Sequence, residues 1–217
     1  NNFNIKIKIE IQKKPLGILD GLKIAYNKLG KFNKLLVILG DNFFYGESLP
    51  EIISKSLNYK DNIIFTYKVN NPKDYGNLVK LKNKYKIIEK PNKPLSNMAV
   101  TGMYIYNNNI GKYLNRPKKS INGEFEITDL NNLLIQDMKL NHVELGRGVV
   151  WMDTGTPKNL IKASQFVQMI EERQGLKIGC PEEISYNLGE IKKNKFKDSL
   201  KKLPTSEYKD YLMKILK

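Results

Sequence analysis

Two aspartates carry the strongest chemical signal in this chain. Asp41 follows the run Leu35-Leu36-Val37-Ile38-Leu39-Gly40. Asp153 follows Val149-Val150-Trp151-Met152 and precedes Thr154-Gly155-Thr156. A run of β-prone residues that stops at Gly-Asp or Asp-Thr-Gly reads as a strand ending at a polar rim. In open α/β sheets, ligands bind beyond the carboxyl ends of the strands. Two carboxylates delivered there suit one Mg²⁺, which takes few protein ligands and fills its other positions with water and phosphate. The pattern points to chemistry on a phosphorylated substrate. Taken singly, each acid has a plainer reading: Asp41 as a turn residue in Gly-Asp-Asn, Asp153 as a loop acid before a helix.

The elements that must position these acids follow from periodicity. Residues 4–11 alternate, with Ile5, Ile7, Ile9 and Ile11 on one face, which predicts a half-buried strand ending at Gln12. Leu19, Leu22, Ala25, Tyr26 and Leu29 share a helical face closed by Gly30. Further strands are predicted over 34–39, 62–69, 77–81, 85–89, 98–106, 142–145 and 149–152. Further helices are predicted over 49–57, 109–115 and 127–137. Thr156-Pro157 opens a long helix to about Arg173, with Leu160, Ala163, Ser164, Val167 and Ile170 on its apolar face. After Gln174 only short helices are legible, the last over 206–216. The alternation of strands and helices implies an α/β three-layer sandwich with a helical C-terminal extension, divided into residues 1–173 and 174–217.

Composition narrows the classes. The 217 residues, 41% of them apolar, suit one sizeable α/β domain with a helical tail. No apolar run is long enough to span a bilayer, so no membrane partner is expected. Cys180 is the only cysteine, so no internal disulfide forms and a cytoplasmic setting is expected. The net charge of +15 first suggests nucleic acid. The arginines are only Arg116, Arg147 and Arg173, and the lysines are spread along the chain without an aromatic-interleaved stripe, so no nucleic-acid partner is expected. The positive field suits anionic nucleotides and sugar phosphates. Cys180 reads as a small buried hydrophobe, and His142, the single histidine, as structural.

Several strings, taken in order, carry a resemblance: Leu39-Gly40-Asp41-Asn42-Phe43-Phe44-Tyr45-Gly46, Asp74-Tyr75-Gly76, Ile88-Glu89-Lys90-Pro91, Ser96-Asn97-Met98-Ala99-Val100-Thr101-Gly102, Gly123-Glu124-Phe125-Glu126-Ile127-Thr128-Asp129 and Trp151-Met152-Asp153-Thr154-Gly155-Thr156. With the tail Glu171-Glu172-Arg173-Gln174-Gly175-Leu176-Lys177 and Cys180-Pro181-Glu182-Glu183-Ile184, the chain resembles the sugar-1-phosphate nucleotidyltransferases, in their thymidylyltransferase branch. The resemblance implies a mixed, mostly parallel Rossmann-like sheet. It implies an enzyme that transfers a nucleotidyl group from dTTP to glucose 1-phosphate, giving dTDP-glucose and pyrophosphate for deoxysugar and cell-surface polysaccharide synthesis. It further implies Mg²⁺ on Asp41 and Asp153 and Lys90 on the sugar phosphate. Glu89 would accept from sugar hydroxyls. Tyr75, Gly76, Val100 and Leu39 would line the sugar pocket, Trp151 would lie beside the metal, and Gln12 and the Gly17 backbone would read the base. Catalytic roles are expected for Lys90, Asp41 and Asp153. The family implies a homotetramer with an effector site to which Tyr45, Gly46, Arg147, Glu183 and Ile184 correspond.

The family's opening string G-x-G-T-R-L-x-P, whose backbone cradles the triphosphate, is not matched in these residues. The chain is therefore expected to be an N-terminally incomplete member, inactive alone. Ile18-Leu19-Asp20-Gly21 stands where the family has Leu-Ala-Gln-Ala, and Asn122 where it has arginine. Two alternatives stay open: a UTP-dependent uridylyltransferase, and a degenerate non-catalytic protein that binds sugar phosphate.

Overall fold

The computed structural model describes residues 6–82 and 84–216. Alternating side chains in two strands organise the larger unit, Glu10–Ala163. β3 (Asn62–Lys68) sends Ile63 and Phe65 to one face and Ile64 to the other, and β6 (Met98–Asn107) likewise divides Met103 and Ile105 from Tyr104 and Tyr106. All are buried, so both sheet faces are covered and these strands read as continuous apolar runs. On the first face, Leu19 and Leu22 of α1 (Ile18–Leu29) and Leu130 and Leu134 of α3 (Ile127–Gln136) pack over Ile64, Tyr104 and Tyr106. On the second, Leu49, Ile52 and Ile53 of α2 (Leu49–Leu57) cover Ile63, Phe65, Met103 and Ile105. The result is the expected three-layer α/β arrangement.

The sheet runs in the order β5 (Lys84–Ile88), β4 (Asn77–Leu81), β6, β3, β7 (Leu140–Glu144), with β1 (Lys34–Ile38) also on β6. The expectation of a mostly parallel sheet is corrected. β6 runs antiparallel to β1, β3 and β4, β4 and β5 form a hairpin, and only β3 and β7 pair in parallel. The reason is an insertion. β1, α2 and β3 form the strand–helix–strand unit legible in the sequence, but β6 lies between β1 and β3 and runs against both. β1 and β4 share one edge of β6: β1 pairs along Met103 to Asn107, and β4 reaches only Ala99.

Two more expectations change. Residues 6–11 form no strand, and Ile7, Ile9 and Ile11 are 71–83% exposed. Alternation reports a face that could be buried, whereas a strand needs a hydrogen-bonding neighbour, and none of the described strands pairs there. Asn4 and Ile5 of that prediction lie outside the described residues. The helix expected over 109–115 is a single 3₁₀ turn, Asn108–Lys112. Gly111 lies under Tyr26, whose hydroxyl donates to the Asn108 carbonyl at 2.8 Å. Conversely, Asn42–Tyr45 forms an unpredicted strand, β2, paired with β8 (Val150–Asp153) in a separate two-stranded sheet.

α4 (Pro157–Gln174) leads into the second unit, which takes in Ser164 onward. There α5 (Pro181–Asn187), α6 (Lys193–Lys201) and α7 (Glu207–Ile215) enclose Cys180, Ile191, Phe196, Leu200 and Leu212. Tyr186 stacks on Phe196 at 4.9 Å, and Cys180 is buried as expected.

Leu130 is fully buried between α3 and the sheet. Leu130→Ala is expected to cost about 2–5 kcal/mol by urea denaturation, through lost burial and a residual cavity.

Candidate active site

The small sheet delivers both aspartates. Asp41 enters β2 and Asp153 ends β8, with Asn42 opposite Asp153 in the ladder. The Thr154 amide and hydroxyl both donate to the Asp41 carbonyl, at 2.7 and 2.8 Å, stitching the two loops together. Asn42 holds the cluster from beneath. Its Oδ1 accepts from the Gly102 amide at 2.9 Å and from Trp151 Nε1 at 2.7 Å, and its Nδ2 donates to Asp41 Oδ1 at 2.8 Å. A Cβ on residue 102 would stand 2.5 Å from the Asn42 side chain, so only glycine lets the amide approach β6.

The space between the acids is kept open by a second glycine. The Gly155 amide donates to Asp153 Oδ1 at 2.8 Å. A Cβ there would meet Asp153 Oδ1 at 3.0 Å and Asp41 Oδ2 at 3.4 Å. Two carboxylates from distant parts of the chain thus converge on one small space, with hard oxygen donors suited to a divalent cation. Among the described residues, no group of three or more His, Cys, Asp or Glu side chains gathers as a metal cage. An ion here would draw its remaining ligands from water or substrate, as Mg²⁺ does.

Tyr75, Gly76, Glu89 and Lys90 line the same cavity as the acids. The Val100 amide donates to the Gly76 carbonyl at 2.8 Å and the Lys90 amide to the Tyr75 carbonyl at 3.2 Å, tying this loop to β6 and to the end of β5. Lys90 has φ +37°, in the left-handed region that ordinary side chains avoid. The Thr128 hydroxyl donates to Glu89 Oε2 at 2.5 Å, and Glu89 lines that cavity. A Cβ on Gly76 would come within 3.1 Å of Glu89 Oε2. The Tyr75 ring lies 5.0 Å from that of Trp151, and burial, then the charges of Asp153 and Asp74, push its phenol up. Glu126 is also pushed up, by burial first, then by Glu89 and Glu124, with Lys90 and the Ser120 hydroxyl opposing.

Leu39, Asp41, Tyr75, Gly76, Glu89, Lys90, Val100, Trp151 and Asp153 line one cavity of about 190 Å³. A neighbouring space of about 480 Å³ shares Asp41, Asp74, Tyr75, Lys90 and Asp153 and adds Lys73, Gly155, Thr156 and Asn159. Gln12 and Gly17 are outside both linings. They are joined to each other, Gln12 Nε2 donating to the Gly17 carbonyl at 3.1 Å, and Ile18 beside them reaches the first cavity. Sequence reasoning missed Asn42, Gly102, Glu126, Thr128 and Asn131, which also line the first cavity. All but Asn131 stand inside the strings that carried the resemblance, which was the available signal. Another cavity, about 840 Å³ between the β4–β5 hairpin and α3, is lined by none of the predicted residues. Of the positions matched to an effector site, Gly46 lies against the Gly148 carbonyl and Tyr45 pairs with Val150. Glu183 belongs to the second unit, where it accepts from the Tyr211 hydroxyl at 2.5 Å.

Two acids and a lysine line one cavity over an α/β sheet, and the nucleotidyl transferase family description matches residues 1–169. The chain belongs to that family. Among curated relatives it is 35% identical to the glucose-1-phosphate thymidylyltransferase of Neisseria meningitidis serogroup A, over 100% of this chain and 76% of that protein. It is 36% identical to that of Mycolicibacterium smegmatis, over 100% of this chain and 75% of that protein. The chain thus spans about three quarters of these relatives' length. Among solved structures, one from Bacillus anthracis, assigned as a glucose-1-phosphate thymidylyltransferase and solved with a sucrose, superposes with TM-score 0.68 at 28% identity, covering 83% of this chain and 70% of that one. A UDP-glucose pyrophosphorylase complexed with UDP-glucose shares the fold, with TM-score 0.62 at 23% identity over 71% of this chain and 63% of that one. Among the described residues, no helix is long and apolar enough to cross a membrane.

Asn42→Ala is expected to destabilise the fold by about 1–3 kcal/mol, because it strands the Gly102 amide and the indole N–H. It should also shift the fluorescence of Trp151, the only tryptophan. Glu126 gives a pH prediction. Its folded value is raised, so the native state keeps the proton to higher pH than the unfolded chain. Stability therefore falls as pH rises from the ordinary glutamate range through the raised value. Glu126→Gln should flatten that slope in urea midpoints measured from about pH 4 to 7. Asp129, raised by burial in the same direction, remains in both proteins and cancels in the difference.

Proposed function

We propose that this chain carries the sugar-phosphate, metal and base-reading groups for thymidylyl transfer from dTTP to glucose 1-phosphate, giving dTDP-glucose and pyrophosphate. The observation that carries the reading is the convergence of Asp41 and Asp153 on the Gly155 space, in a cavity that Lys90 and Glu89 also line. The curated relatives at 35% and 36% identity are thymidylyltransferases by name.

In the reaction an oxygen of the sugar phosphate forms a bond to the α-phosphorus of the nucleotide, and the bond to pyrophosphate breaks. The nucleophile is already ionised near neutral pH, so no group has to remove a proton. This accords with a cavity that holds no histidine. Catalysis then reduces to in-line positioning and neutralisation of phosphate charge. Asp41 and Asp153 would hold Mg²⁺. When bound, that ion supplies positive charge to nucleotide phosphates that the carboxylates would otherwise repel.

The remaining roles belong to the chain itself. The Lys90 ammonium binds the sugar phosphate as a compact point charge. Glu89, with Oε2 already taken by Thr128, accepts from sugar hydroxyls through Oε1. The Tyr75 and Trp151 rings and Leu39 and Val100 form the apolar wall against which the sugar ring packs. Gln12 and Gly17 read the base from beside Ile18. The proposal extends to a homotetramer, as the family resemblance implies, and to a cytoplasmic setting, as the single cysteine implies.

Glucose 1-phosphate binding, measured by calorimetry or saturation-transfer NMR, tests the reading. Lys90→Ala is expected to weaken it roughly tenfold or more, the scale of one lost charge-assisted contact. Asp153→Asn should abolish the Mg²⁺ dependence of dTTP binding and leave the sugar phosphate bound. An unchanged glucose 1-phosphate affinity in Lys90→Ala would overturn the assignment.

A further inference from the structure

We infer that Asp20 is a positioning residue that fixes which end of the Gln12 amide faces a nucleotide base, and so sets which bases the site accepts. The inference rests on the reading of Gln12 and Gly17 as base contacts.

Gln12 lies in an exposed segment without regular structure, where its side chain has no packing to orient it. Two hydrogen bonds do so instead. Nε2 donates to the Gly17 carbonyl at 3.1 Å and to Asp20 Oδ2 at 2.8 Å. A primary amide has two N–H donors, and here both partners, a carbonyl and a carboxylate, are acceptors only. Turning the amide over would set its oxygen against two oxygens. The network therefore determines the orientation: both N–H groups point inward and Oε1 points away. No described residue donates to Oε1, and the Gly17 N–H finds no acceptor among the described residues.

Gly17 is itself fixed. Its φ is +97°, and a Cβ there would stand 2.6 Å from the Phe125 carbonyl, so the backbone is pressed against Phe125. The Leu19 amide donates to that carbonyl at 3.2 Å, and the Phe125 amide donates to Leu16 at 2.7 Å. The result is one unpaired acceptor and one unpaired donor in a fixed relation, beside the cavity that Ile18 lines.

Thymine and cytosine have nearly the same outline and opposite polarity on this edge. At N3 thymine carries a hydrogen and cytosine a lone pair; at C4 thymine carries an oxygen and cytosine an amino group. With the base held by its sugar and phosphates, an outward Oε1 accepts from the thymine N3–H and repels the cytosine N3. A freely turning glutamine would serve both bases. The Gly17 carbonyl already opposes the turned-over amide, and Asp20, in the first turn of α1, adds the second, charged acceptor to that restraint. Uracil shares the thymine edge, so the device rejects amino-pyrimidines and is indifferent to the 5-methyl group.

The test compares dTTP, dUTP and dCTP binding in the presence of Mg²⁺ by saturation-transfer NMR, for the unaltered chain, Asp20→Asn and Asp20→Leu. The asparagine keeps the shape and can donate to an inverted Gln12. The unaltered chain is expected to favour dTTP and dUTP over dCTP by about tenfold, the scale of one hydrogen bond made or opposed. Both variants should lower that ratio, because only the Gly17 carbonyl then restrains the amide, while glucose 1-phosphate affinity is unchanged. All three nucleotides bound with an unchanged ratio in the variants would overturn the role of Asp20 and leave the base contacts standing. Glucose 1-phosphate bound without base discrimination by the unaltered chain would overturn the base contacts, and the inference with them.

Discussion

The site depends on a single amide side chain. Asn42 bonds the central strand through Gly102, the indole of Trp151 and the carboxylate of Asp41. It thereby joins three segments that the backbone ladders leave separate: β6 of the main sheet, β8 of the small sheet and the acidic turn before β2. Each bond alone is modest, but the donors and acceptors are partly withdrawn from water, so leaving any unmet costs more than making it gains. The glycine at 102 is the steric condition for this arrangement, as the glycine at 155 is for the space between the acids.

Sheet topology explains where the cavity opens. β1 and β4 share one edge of β6 but cover different stretches of it, leaving Val100 to Gly102 between them. In that gap the Val100 amide is met by Gly76, the Gly102 carbonyl by Leu39 and the Gly102 amide by Asn42. Strands that part from a common neighbour make a crevice in the sheet, and the loops that finish them become its walls. The same logic places ligands at switch points of parallel sheets, realised here with mostly antiparallel pairing.

Much of this was legible in the chain. Apolar runs located β1, β3, β6 and β8, helical spacing located α1, α3 and α4, and the Gly-Asp and Asp-Thr-Gly endings marked the two acids. What was not legible depends on partners distant in sequence. Nothing near β3 announces that β6 inserts between it and β1, so strand direction was misread. Residues 6–11 have the alternation of a strand without a neighbour to pair with. β2 is short and follows a turn signal, and it exists because β8 lies beside it. Asn42 read as part of a turn because its bonds reach Gly102 and Trp151, far along the chain. In the second unit, Cys180 was correctly read as buried, though its Sγ also lies 3.1 Å from the Tyr208 hydroxyl, a contact no local pattern announces.

Lys90 places two selective demands in opposition. Its backbone occupies the left-handed half of conformational space, where a side chain costs about 1 kcal/mol or more and glycine costs nothing. Pro91 narrows the choices of the preceding residue further. Relaxing the turn by shedding the side chain would give a more comfortable loop and surrender the ammonium beside the acids. Backbone comfort and a cation on the cavity wall thus compete at one position.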